Sequence, residues 1–172
     1  MEKSDSFFIR ATQNVLETAD FDEGEIDLGA YVDALGKSVL RIHNIAVAFT
    51  DEDGRSPDIK TGGNITAAAQ FQLTTQSNAD IVLGTNKSVI AQGQINAIRV
   101  PNSQGVASTV SHDLDNLPQL WTNGYLVAVD SIYLGGAATT DWAEDVYVTV
   151  TMECTVESMS QAAAMALALS QQ

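Results

Sequence analysis

The sequence is short of positive charge. Its 172 residues include 8 Lys and Arg against 22 Asp and Glu, a formal net charge of −14. Acids occur at an ordinary frequency, so the imbalance is a depletion of bases rather than a carboxylate coat. A surface this poor in cations lacks the footprint that phosphate backbones require, which argues against direct nucleic-acid binding. Cysteine is nearly absent too. The lone Cys154 excludes an internal disulfide framework and a thiolate zinc cluster. Two histidines, His43 and His112, form no His-x-His metal pair. No apolar run approaches the roughly 18 residues of a membrane span, and Met1–Ser6 carries no apolar signal core. Neither a Gly-x-x-x-x-Gly-Lys-Ser/Thr phosphate loop nor a Gly-x-Ser-x-Gly nucleophile elbow occurs. The expectation is a chain that is not an enzyme and holds no cofactor or metal.

What is present is a folded domain, 45 % hydrophobic and long enough for a continuous core. Short β-like runs recur between Gly, Asn, Asp and Pro, the spacing of a sandwich or barrel of about eight strands. The clearest is Val146 to Val156. Val146, Val148, Val150, Met152, Cys154 and Val156 alternate strictly with Tyr147, Thr149, Thr151, Glu153 and Thr155, the period of a half-buried strand. Cys154 falls on the apolar side and reads as a small core hydrophobe. Ala67–Thr75 alternates in the same way. Along Val39–Thr50 the phase set by Leu40 and Ile42 reverses at Ile45, Val47 and Phe49, which a bulge or bend would produce. Further strands are expected at Phe7–Val15, Ile26–Val32, Ile81–Leu83, Val89–Val100 and Tyr125–Leu134. Turns are expected at Asp51–Gly54, Thr61–Asn64, Pro101–Gly105 and Gly135–Gly136, and Ser111–Trp121 reads as loop or short helix.

After residue 157 the character changes. Ser158 and Gln161 match a capping box, and Met159–Leu169 consists of strong helix formers. Ala162, Met165, Ala166 and Leu169 form a stripe at helical spacing. The expected division is a β domain over 1–157 and a helical segment over 158–172. That segment packs on the barrel, on a neighbouring subunit or on a membrane surface.

Candidate sites are few. Asp51, Glu52 and Asp53 precede Gly54, but counting back from Gly54 puts Phe49 at position 1 and Lys60 at position 12, so the EF-hand pattern fails. Asp20, Asp22, Glu23, Glu25 and Asp27 read as a solvated loop. His43 reads as a satisfied strand histidine, and His112, beside Ser111 and Asp113, as a surface polar group. Core or loop packing is the first expectation for Trp142, with ligand or partner contact the alternative.

Three stretches carry a resemblance. They are Glu25-Ile-Asp-Leu-Gly-Ala-Tyr-Val-Asp-Ala-Leu-Gly-Lys-Ser-Val-Leu-Arg-Ile-His, Tyr125-Leu-Val-Ala-Val-Asp-Ser-Ile-Tyr-Leu-Gly and Val146 to Val156. Together they resemble single jelly-roll major capsid proteins of icosahedral, internal-membrane-containing viruses of archaea and bacteria. The resemblance is architectural and rests on no short motif. It implies an all-β single jelly roll with a short C-terminal α-helix, and a structural capsid protein that self-assembles into an icosahedral shell. Such a protein is made in the host cytoplasm and resides in the virion. Its partners are further copies, other capsid proteins and an internal membrane, without direct nucleic-acid contact. Met159, Met165, Leu167 and Leu169 are then the expected oligomer interface. The alternative function is a virion decoration, fibre or lectin-like binding module, with Trp142 as its contact residue.

Overall fold

The structure, a computed structural model, describes residues 3–33, 36–62, 65–99, 109–113 and 117–172, and for 109–113 the backbone only. The turn residues expected at Gly63, Asn64 and Pro101–Gly105 lie outside the described residues, as does the side chain of His112. Nine strands occur among the described residues: β1 (Phe7–Asn14), β2 (Asp22–Asp27), β3 (Ser38–Thr50), β4 (Ile65–Thr74), β5 (Val89–Arg99), β6 (Thr109–Asp113), β7 (Tyr125–Val127), β8 (Ser131–Ala138) and β9 (Tyr147–Ser158). A helix, α1 (Gln161–Ser170), follows the last strand, and a short 3-10 turn spans Pro118–Leu120.

The strands form two antiparallel sheets ordered β1-β9-β3-β7 and β2-β8-β4-β5-β6. Leaving out β6, which extends one edge, eight strands fill two four-stranded sheets with the chain crossing repeatedly between them. This is an all-β jelly-roll sandwich with a C-terminal helix. Its core lies between the sheets. Val148, Val150, Met152 and Cys154 of β9 are fully buried, as period two requires. Phe49 of β3 meets Phe71 of β4 edge-to-face at 6.1 Å across the core. Burial drives the Cys154 thiol up to about 12, with Glu153 adding to the shift, so the group is an inert hydrophobe.

The phase reversal in β3 is a β-bulge. Ile42 pairs with Cys154 and Asn44 with Glu153, which leaves His43 as the extra residue. Elsewhere the strands depart from expectation. Ile81–Leu83 is not a strand, and Tyr125–Leu134 divides into β7 and β8 at Ala128–Asp130. Strand β2 begins at Asp22, so most of the acidic stretch read as loop is an edge strand. An edge strand has only one hydrogen-bonded neighbour and tolerates charged residues that a central strand would not.

Candidate functional site

A set of satisfied buried polar groups lies where β9 ends and α1 begins. Glu157 is 1 % exposed yet ionised. Arg41 grips it with both arms, Nε donating to Oε1 at 2.7 Å and Nη2 to Oε2 at 2.9 Å. Lys3 reaches the same carboxylate at 3.0 Å. The Arg41 hydrogen bonds hold the carboxyl down at about 2, against the opposing push of burial and with help from Lys3. Nη1 of Arg41 also donates to the Asn123 carbonyl. The turn presenting that carbonyl needs glycine next: Gly124 has φ +63°, and a Cβ there would sit 2.2 Å from the Ile42 carbonyl oxygen. On the same side, His43 Nε2 and Thr155 Oγ1 lie 2.9 Å apart, a satisfied strand histidine.

Helix α1 is fastened beside this cluster. Its cap is Ser160, whose hydroxyl accepts the Ala163 N–H at 3.3 Å. The expected cap, Ser158, is still in β9, paired with Ser38, because the ladder outcompetes an early helix start. Ala164, Leu167 and Ala168 pack on Val39, Leu126 and Ala128. One turn further, Gln171 is 4 % exposed. Its Nε2 donates to the Leu126 carbonyl at 2.6 Å and its Oε1 accepts the Ala128 N–H at 3.0 Å. The Thr75 hydroxyl donates to the Gln171 backbone carbonyl, tying the helix end to the second sheet.

This docking decides which side of the helix faces water. The stripe Ala162, Met165, Ala166 and Leu169 points outward, with Met165 44 % and Leu169 69 % exposed. Met159 and Leu167 instead turn partly inward onto Leu126 and Ala128. The four residues expected at an interface therefore fall on two sides of the element. A shallow cavity of about 250 Å³ lies between Met165, Leu169 and the β7–β8 corner at Ala128–Asp130.

Trp142 offers nothing to a partner. It is fully buried, with its indole N–H donating to the Ala68 carbonyl at 3.0 Å, so its role as a contact residue is corrected to core packing. Asp51 is a turn cap whose Oδ1 accepts the N–H groups of Asp53 and Arg55. Among the described residues no group of three His, Cys, Asp or Glu side chains could hold a metal. No helix there is long and apolar enough to cross a membrane. Sequence reading missed Glu157, Arg41 and Gln171 entirely. A charged residue at the end of a period-two strand was the only available signal.

No protein-family model matches this chain, and no curated protein matches it. Viral proteins are among the solved structures similar to it. Merkel cell polyomavirus VP1, solved as an unassembled pentamer, is 7 % identical with a TM-score of 0.43, over 88 % of this chain and 95 % of that one. VP1 of trichodysplasia spinulosa-associated polyomavirus, solved with sialylated glycooligomers, is 7 % identical with a TM-score of 0.42, over 88 % and 95 %. The turnip yellow mosaic virus structure is 10 % identical with a TM-score of 0.33, over 89 % and 80 %. What they share with this chain is fold.

Proposed function

We propose that this chain is a structural subunit that self-assembles into an icosahedral viral shell, of the kind that encloses an internal membrane. The observation that carries the reading is the outward stripe of α1. A jelly roll with its helix locked down by Gln171 still leaves Met165 and Leu169 in water, on an element without a charged residue. In a chain of net charge −14, a contact between copies has to avoid like-charge repulsion. The uncharged stripe does so, and a neighbouring copy covers it. A lipid surface is the less favoured occupant, because the helix lacks the Lys and Arg that surface-seeking helices use. Contact with an internal membrane therefore belongs to other parts of the assembled shell. Other capsid proteins are the further partners, the virion is the location, and packaged nucleic acid is not touched directly.

Electron microscopy of the purified protein tests this. Rings, sheets or shells are expected for the wild type, and Met165→Ser/Leu169→Ser should abolish them while leaving the melting temperature unchanged. A wild-type protein that stays monomeric at every concentration and salt condition overturns the reading.

A further inference from the structure

The apolar cavity beside α1 has a charged rim. Of the residues that bound its volume of about 250 Å³, Asp130 alone has a charged side chain, and that side chain is exposed. Among the described residues its carboxylate has no ion pair and no hydrogen bond. The surroundings are acidic as well. Partial burial raises the nearby Tyr133 phenol above its ordinary value, and Glu25, Glu23 and Asp130 add to the rise. Such a socket repels an acidic occupant and suits an apolar tip accompanied by a base.

The connection between β4 and β5 carries both. Leu83 is 79 % exposed, more than any other large hydrophobic side chain among the described residues. Lys87 follows four residues later, exposed and without an ion pair or side-chain hydrogen bond among them. Gly84, Thr85 and Asn86 between the two are neutral. The nearest acid, Asp80, is turned back into its own turn, where Oδ1 accepts the Ile81 N–H at 2.7 Å. The backbone here is already bonded. Gln72 Oε1 accepts the Val82 N–H at 2.9 Å, and Gln92 Nε2 donates to the Val82 carbonyl at 2.5 Å. The Leu83 carbonyl accepts the Asn86 N–H at 2.8 Å. The turn therefore offers a neighbour side chains only, on a frame fixed beforehand, and little further ordering is needed on contact.

We propose that the Leu83 turn of a second copy fills this socket, with Leu83 against Met165 and Leu169 and Lys87 on Asp130. Burying an exposed leucine supplies attraction, and the opposite charges select which turn enters. Other exposed apolar side chains fit less well. Phe8 and Ile98 lie within strands rather than on a turn, and no Lys or Arg occurs within four residues of Leu120 and Trp121. In one copy the turn and the socket flank the same helix end. Lys87 bounds a cavity with Ser170 and Gln171, while Leu169 and Gln172 bound the socket. A two-fold axis between two copies thus fills both sockets at once, a self-complementary contact.

The inference rests on the self-association proposed above and names the surface that meets the α1 stripe. Sedimentation of the full chain over a range of concentrations compares the wild type with Leu83→Ser, Lys87→Glu, Asp130→Lys and the double reversal Lys87→Glu/Asp130→Lys. Leu83→Ser and each single reversal should weaken association about tenfold, and the double reversal should restore it by remaking the pair with opposite polarity. Melting temperatures should hold, because all three side chains are exposed. If Leu83→Ser melts early, Leu83→Ala replaces it and should show the same weakening. A wild type that associates, with the Leu83 variant associating equally well, overturns this occupant and leaves the shell reading standing. Weakening by both single reversals that the double reversal fails to repair overturns the pairing of Lys87 with Asp130, and the choice of this turn with it. A monomeric wild type overturns both proposals.

Discussion

The two outer faces of the sandwich each hold down a neighbouring segment, one with charge and the other with amides. On the first sheet Glu157 grips Lys3 of the N-terminal segment and Arg41 of β3. On the second sheet Gln72 and Gln92 grip Val82 of the β4–β5 connection. Glu157 and Gln72 are equally sealed, at 1 % and 0 % exposure. The difference lies in what burial demands. A desolvated carboxylate is tolerated only while its cations remain, whereas a desolvated amide needs only ordinary hydrogen bonds. The charged fastening is therefore more costly to break and senses pH. The neutral one is cheaper, indifferent to pH, and can be repeated along a strand without self-repulsion, as Gln70 opposite Gln94 shows.

The largest effect expected from breaking this contrast is at the charged face. Glu157→Ala leaves the Arg41 guanidinium, only 14 % exposed, without its carboxylate. It should destabilise the fold by about 3 to 5 kcal/mol in urea unfolding. Acid titration should expose the same group. Its native value of about 2 lies below the ordinary 4.5, so its contribution is complete above pH 4.5 and is lost as pH falls from there towards 2. The variant should lack that part of the acid limb, and an unchanged limb would show that other carboxylates govern it. Next comes Gln72→Ala, which strips the Val82 N–H and Asp80 carbonyl of their partner. A loss of about 1 to 3 kcal/mol is expected, together with faster amide exchange at Val82 and no change in the acid limb. A pH-dependent cost there would erase the distinction between the two faces. Smallest is Lys3→Ala. Its side chain is 55 % exposed, so less than about 1 kcal/mol should be lost, and double-mutant coupling with Glu157 should shrink in high salt.

What could be read in advance followed from local periodicity. Strand β9 was legible because Val148, Val150, Met152 and Cys154 sit on one side of a period-two pattern, and one buried face is all that pattern requires. The bulge at His43 was legible because an extra residue reverses the phase of every apolar position after it. Ile81–Leu83 misled because three β-formers in a row carry no information about a partner strand. In the structure Val82 bonds to side-chain amides instead. The facing of α1 was illegible for another reason. Ala162, Met165, Ala166 and Leu169 are as apolar as Ala164, Leu167 and Ala168, so no moment distinguished them. Gln171, fastened to Leu126 and Ala128, settled the rotation.

Strand period, helix propensity and charge are properties of neighbouring residues, so the order of amino acids alone specifies a β-rich domain with a helical end and few cations. Which polar groups matter depends on how distant strands meet. Glu157 meets Arg41 across 116 positions of chain, and Gln72 meets Gln92 only through the ladder register. Such pairings depend on strand order in two sheets, and strand order is set by how the whole core closes rather than by any local pattern. The same closure buries Trp142 and leaves Met165 and Leu169 in water.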